Sequence, residues 1–385
     1  MKKPIIGIES IFFSIAISVI LIMYAILFLP IVKRSFKTNS KNKYNSLLVV
    51  LLIIFLAIML SLPLSATTRY YLYMPLNFYA LVVAGALLLF FFVFAKLRKL
   101  TTEEEEFNLK LSKGIDHTKE KSILDTYNFT PKQEMKRKIV HLCTIFYLAT
   151  WIFQPLIFYG VVYLYSNIEN TTTFENYFNA HYLFEYKDLE IMLYNGLITQ
   201  FFMFLCIFWY NADAEIMRLR FNKYDFLFKK MLQITRRPTE INDISASILL
   251  LLALATSAII LTYDSANRIA GIYAQMAVIC IAVLSDMFAA LIGRKWGKHK
   301  WPFVKGKSFE GSIAGFLVGF LTATFFVGWF LALIGALIFV FTDIALAKVR
   351  ISDNASNPIL LAITFKILII FVDPLMVSLP FIKIW

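Results

Sequence analysis

Apolar runs of twenty residues or more recur along this chain. The hydrocarbon core of a bilayer takes about 20 helical residues to cross, so such runs leave little choice of architecture. Hydrophobic residues make up 59% of the 385, against roughly 45–50% in soluble domains. Mean hydropathy is +0.70. The expected fold is all-α: a polytopic transmembrane bundle of about ten helices, with no separate soluble domain. The helices are expected at 4–32, 45–66, 74–97, 138–165, 188–211, 243–263, 269–293, 309–328, 331–347 and 357–379, the last division but one being drawn at Gly328. The first run follows Met1-Lys2-Lys3. It is too long for a signal h-region and lacks a small-residue cleavage site, so a retained helix is expected.

The net charge of +13 raises the question of nucleic acid. The cations, however, fall between the apolar runs. Lys33, Arg34, Lys37, Lys41 and Lys43 occupy 33–43, and seven Lys and Arg occupy 212–242. Six more lie in 294–308, and Lys348 and Arg350 follow in 348–356. The alternate loops are poor in positive charge. That is orientation by the positive-inside rule, with basic loops cytosolic and both termini outward, and no nucleic-acid partner is expected. Lys2 and Lys3 run against that orientation at the N-terminus, and a sequon at Asn170-Thr171-Thr172 falls on the expected outer side. Cys143, Cys206 and Cys280 all lie in apolar stretches without metal-ligand spacing. Residues 1–100 are expected to form a three-helix N-terminal segment and 101–133 a charged cytosolic linker. Residues 134–385 would form a seven-helix catalytic domain. Residues 215–233 set Ile216, Leu219, Phe226, Leu227 and Met231 among basic residues, as in an interfacial amphipathic helix.

Residues 285–312, SDMFAALIGRKWGKHKWPFVKGKSFEGS, concentrate chemistry at one membrane edge. Asp286 is a carboxylate inside an apolar segment, a placement that is costly and marks function. Ala290, Gly293 and Gly297 follow on the same helix face, although Gly293-x-x-x-Gly297 is also a helix-packing pattern. Lys298, Lys300, Lys305 and Lys307 come next. Ser308 reads as an N-cap, Glu310 as a first-turn acid, and Gly311 as a close approach to backbone. Lysines before a helix N-terminus suit phosphates, and a carboxylate beside them suits Mg2+.

Three further constellations fall on the same expected side. Glu134, Arg137, Lys138 and His141 share a helix face. Asn211, Asp213 and Glu215 leave helix five, and Glu240 and Asp243 precede helix six. Asp353, Asn354, Asn357 and Pro358 start the last helix, with proline suited to its first position. Asp343 is a second intramembrane carboxylate and a second-tier candidate. Singly, the charged pairs read as surface ion pairs. Their agreement with a topology drawn from charge alone points to one composite site.

In SDMFAALIGRKWGKHKWPFVKGKSFEGS the chain resembles the CTP-dependent polyprenol kinases, a group that includes dolichol, phytol and yeast-type diacylglycerol kinases. Asp286, Ala289, Gly293, Gly297, Lys307, Ser308, Glu310, Gly311 and Ser312 match their pattern, with Ser285 in place of the usual glycine. Arg137-Lys138-Ile139-Val140-His141 and Asp353-Asn354 with Pro358 also fit, so the likeness spans about 134–375. It is related to the pattern of CTP:phosphatidate cytidylyltransferases, but their C-terminal Lys-Asp, His-Gly-Gly and Asp-Arg signature is missing.

The resemblance implies a membrane enzyme that moves the γ-phosphate of CTP to the hydroxyl of a lipid alcohol from the bilayer, at the cytosolic edge. A CDP-lipid synthase is the alternative, and a transporter with carboxylates strung across the membrane a second one. Asp286 would hold Mg2+ with Asp353. Lys298, Lys300, Lys307, Ser308, Gly293, Gly297, Gly311, Arg137 and Lys138 would hold the nucleotide, with His141, Glu240 and Asn354 nearby. Glu310 or Asp213 would orient or deprotonate the hydroxyl.

Overall fold

The computed structural model describes residues 8–38, 40, 42–61, 98–99, 204–205, 207–209, 211–216, 224–225, 243–262, 268–302, 304, 306–349 and 352–371. These are almost entirely helical. α1 is Ile8–Lys37, α2 Lys43–Ser61, α3 Ala246–Thr262 and α4 Arg268–Cys280. A π-helical turn, Ile281–Ser285, joins α4 to α5, Asp286–Lys295. α6 is Phe309–Val349 and α7 Asp353–Phe371. Five helices among the described residues are long and apolar enough to cross a membrane, and α3 is a shorter apolar helix of 17 residues. The chain is therefore a helical membrane bundle.

α6, with 41 residues, would be about 60 Å long if straight, twice the hydrocarbon thickness. It instead reverses at Gly328, whose φ of 73° and ψ of 167° suit only a residue without a Cβ. Lys307 consequently meets Asp343 from the far half. A Cβ built on Gly315 would lie 2.5 Å from the Phe339 ring. The two expected helices on either side of Gly328 are thus a tight antiparallel hairpin.

Burial follows the membrane. Leu21, Phe28, Ile53 and Leu56 close the α1–α2 seam, while Ile248, Leu252, Ile279, Phe339 and Phe365 fill the bundle. Phe325, Trp329, Phe341 and Ile370 face outward, where lipid replaces water.

Four expectations need correction. Helix one continues to Lys37, because Arg34 and Lys37 in its last turn complement the carbonyl end of the helix. The last helix begins at Asp353 rather than 357, so Pro358 sits five residues in. There the Ser352 carbonyl accepts the N–H groups of Ala355 and Ser356 at 3.1 and 3.2 Å. The interfacial helix over 215–233 is interrupted. Helix persists through residue 216, but Tyr224–Asp225 is an extended pair bonded antiparallel to Arg98–Lys99. Helix seven is not uniform either, since the π-helical turn lies directly ahead of Asp286. Helices 74–97 and 138–165 lie outside the described residues.

Candidate functional site

Three carboxylates from three elements converge at one end of the bundle. Asp286 opens α5, Asp343 lies near the end of α6, and Asp353 opens α7. One oxygen from each lies within 4.8 Å of the others. Asp343 is 3% exposed and Asp353 35%. The π-helical turn admits one extra residue per turn ahead of Asp286, a feature common at functional positions. Thr342 and Asn357, both buried, are hydrogen-bonded to each other and clamp the Asp343 segment to the Asp353 helix.

Lys307 completes the cluster. Its ammonium pairs with Asp343 and lies 3.6 Å from an Asp353 oxygen. Burial opposes the charge, but Asp353, Asp343 and Asp286 together raise the Lys307 pKa above its ordinary value. Three carboxylates against one ammonium leave an excess of negative charge among these four groups. Hard oxygens at this spacing fit a divalent cation such as Mg2+.

The loop that carries Lys307 is built rather than solvated. Phe309 N–H donates to the His299 carbonyl at 2.9 Å, and Trp301 N–H donates to the Lys307 carbonyl at 3.2 Å. Lys300 and Ser308 form a bridge between these bonds. Gly306, at φ 88°, makes the turn. Trp301 stacks on Phe309 with ring centroids 3.7 Å apart, and its indole N–H donates to Ser312 Oγ at 3.1 Å. Glu310 clasps the other side. Its carboxylate accepts the Lys298 and His299 N–H groups at 3.2 and 3.0 Å and lies 2.7 Å from His299 Nδ1. Backbone on both sides of Lys307 is therefore fixed, which aims its amine at the carboxylates.

The open phosphate cradle expected from Ser308 onward is not open in this structure. Ser308 is the N-cap, its Oγ accepting the Gly311 N–H at 3.2 Å, and its carbonyl accepts the Ser312 N–H at 3.0 Å. Phe309 N–H is spent on His299. The glycines serve packing. A Cβ on Gly311 would meet the Ala289 carbonyl oxygen at 2.7 Å, and one on Gly293 would meet Ser308 Oγ at 3.0 Å and Gly311 Cα at 3.3 Å. Gly297 likewise lies against Ser308 and the Gly293 carbonyl. The small-residue stripe of α5 thus seats the first turns of α6, and the ligand approach expected at Gly293, Gly297 and Gly311 is filled by protein in these directions.

Lys298 and Lys300 are exposed, and Lys300 Nζ lies 3.4 Å from the Gly293 carbonyl near the end of α5. Asp213 is buried in the helical stretch 211–216 and accepts the Tyr24 hydroxyl of α1 at 2.6 Å. Asn354 is buried beside Asp353, its N–H bonded to the Asp353 carboxylate at 3.0 Å. Arg137, Lys138, His141 and Glu240 lie outside the described residues.

Asp286, Lys307 and Asp353, which the resemblance assigns to one site, are thus brought together. Asp343, placed in the second tier by sequence, joins them in the cluster. Its signal was a carboxylate deep in an apolar helix, and only the reversal at Gly328 shows that it returns to meet Lys307.

No curated protein and no solved structure matches the chain. A family model described as "Cytidylyltransferase family" matches residues 138–375, well over half of the chain, and spans Asp286, Lys307, Asp343 and Asp353. The narrower likeness to polyprenol kinases rests on the motifs quoted above, whereas the match over this stretch places the chain in the cytidylyltransferase family.

Proposed function

We propose that this protein is an integral-membrane, CTP-dependent enzyme that phosphorylates a lipid alcohol such as a polyprenol. The observation that carries the reading is the convergence of Asp286, Asp343 and Asp353 with Lys307 at the bundle's end. Two further supports are the family match, which makes CTP the nucleotide to test first, and the kinase-type Arg137-Lys138-x-x-His141 and Asp353-Asn354 elements.

Phosphoryl transfer asks a protein for position and charge more than for covalent chemistry. Asp286, Asp343 and Asp353 would hold Mg2+, which neutralises phosphate charge when bound. Lys307, kept cationic by its neighbours, offers its amine to a phosphate oxygen. Exposed Lys298 and Lys300 add positive potential at the mouth. The lipid hydroxyl oxygen attacks the γ-phosphorus, the bond to the β-phosphate oxygen breaks, releasing CDP, and the hydroxyl proton passes to an oxygen of the transferred phosphoryl group. Neither expected base is free for the hydroxyl proton in this structure: Glu310 holds the loop and Asp213 holds Tyr24. Their work is therefore assigned to positioning.

The family match favours a second reading, in which a lipid phosphate attacks the α-phosphorus and pyrophosphate leaves. The transporter reading is disfavoured, since Asp286, Asp343 and Asp353 gather at one end of the bundle rather than along the membrane depth.

The test uses purified protein with γ-labelled CTP or ATP and dolichol, geranylgeraniol or diacylglycerol. In parallel, α-labelled CTP is offered with phosphatidate. Label in a lipid alcohol from CTP is expected. CDP-lipid in the parallel assay, with no γ-label transferred, would move the chain to the cytidylyl-transfer reading.

A further inference from the structure

The geometry points to Asn45 as a positioning residue that holds Asp353 in place, so that the α1–α2 pair braces the candidate metal site. The inference rests on the reading of Asp286, Asp343 and Asp353 as cation ligands. Both α1 and α2 lie outside the matched stretch 138–375, so nothing in the family match assigns them a role.

The α1–α2 connection touches the starts of two helices. At α3, the Asp243 carboxylate accepts the hydroxyls of Ser35 and Ser40, and Ser46 Oγ accepts the Ile244 N–H at 3.3 Å. At α7, Asn45 Oδ1 accepts the Ser352 N–H at 2.9 Å. Ser352 begins α7: its carbonyl takes the Ala355 and Ser356 N–H groups, and the Ser356 hydroxyl at 3.1 Å. Its N–H would otherwise be an unsatisfied donor at a helix start. The very next residue is Asp353.

Asn45 is itself constrained. It is 8% exposed, in the first turn of α2, with its N–H on the Asn42 carbonyl at 2.9 Å. A buried side-chain amide, held by its own helix and bonded to the peptide beside a cluster carboxylate, acts as the outer layer of a metal site acts. It fixes the ligand's orientation without touching the cation. Lys307 and the Thr342–Asn357 bond hold the same helix start. The start of α7 is thereby held by contacts from α2, from the loop before α6 and from α6.

The test uses the full chain in detergent, with Mn2+ binding followed by electron paramagnetic resonance. Asn45→Leu keeps the volume and removes the acceptor, and its Mn2+ affinity is expected to fall about tenfold, in the range seen for outer-layer residues. Asn45→Asp keeps an acceptor oxygen and is expected to stay within about twofold of the unaltered chain. In transfer assays, Asn45→Leu raises the half-saturating Mg2+ while kcat at saturating Mg2+ is retained. Ser46→Ala, which also breaks a buried bond but at the α3 start, lowers the melting temperature without moving Mn2+ affinity. If Asn45→Leu does not fold, Asn45→Ser, whose hydroxyl is too short to reach Ser352, gives the same reading. Asn45→Leu or Asn45→Ser with unaltered Mn2+ affinity would overturn the brace, provided Asp286→Asn abolishes binding. Unaltered Mn2+ binding by Asp286→Asn would instead overturn the metal-site reading itself.

Discussion

Lys307 sits where charge decides the chemistry. Its amine faces Asp343 and Asp353 directly, and Asp286 adds to the field that holds it protonated. The sign is clear: a lysine with a raised folded-state pKa keeps its contribution below its ordinary pKa, and loses it only as pH climbs through the raised value. A basic limb in the pH–rate profile near pH 8 would therefore belong to another group. Replacing the amine separates its two roles. Lys307→Gln removes a repulsive charge from the cation cluster and an attractive one from the phosphates. Mn2+ binding is expected to hold or tighten, while lipid-phosphate formation falls by about two orders of magnitude or more. A variant that loses both equally would show Lys307 to be structural. Asp286→Asn has the complementary signature: turnover all but lost, melting temperature little changed and Mn2+ affinity gone. Normal turnover in that variant would remove Asp286 from the site.

The reversal at Gly328 does more for the site than any helix length. A carboxylate 36 positions beyond Lys307 returns to it because the chain can take φ 73°, ψ 167° there. Gly328→Ala is expected to cost roughly 1–3 kcal/mol of stability through backbone strain, read as a lower melting temperature in detergent. Gly311→Leu acts differently, by driving a side chain into the Ala289 carbonyl and Gly293. It should separate α5 from α6, and transfer should fail even where helix content by circular dichroism is kept. Helical elements were legible in the sequence because apolar length is a one-dimensional property. Asp286 was legible because a costly charge stands out against apolar surroundings, and Lys307 and Asp353 because they sit at helix starts within the motifs that carry the resemblance. Asp343 carried the same signal as Asp286 but needed the hairpin to acquire its partners. The π-helical turn before Asp286 had no signal, since Ile281-Ala282-Val283-Leu284-Ser285 reads as ordinary helix. The phosphate-cradle expectation rests on a related ambiguity. Ser308, Glu310 and Gly311 have the residue types of a ligand-binding helix start, and the same types serve equally to cap that start and pack it against α5.

At the scale of the whole molecule, helix ends far apart in sequence share one side. The end of α1 meets the approach to α3 through Ser35 and Asp243. The start of α2 meets that of α7 through Asn45 and Ser352. The approach to α6 meets the end of its own hairpin through Lys307 and Asp343. This side also carries Lys33, Arg34, Lys37, Lys43, Arg294, Lys295, Lys298 and Lys300, while Trp329 and Phe330 mark the opposite turn. Positive charge beside short membrane loops is retained in the cytosol. CTP is a cytosolic nucleotide, so an orientation set by these cations would be the one that the proposed donor requires. In a chain with Cys143, Cys206 and Cys280 replaced, a cysteine at Lys298 should react with an impermeant maleimide only from the cytosolic face. One at Trp329 should react only from the other. The reverse pattern would place the carboxylate cluster where CTP is scarce, and would contradict the proposed donor even if Mn2+ binding and the fold were intact.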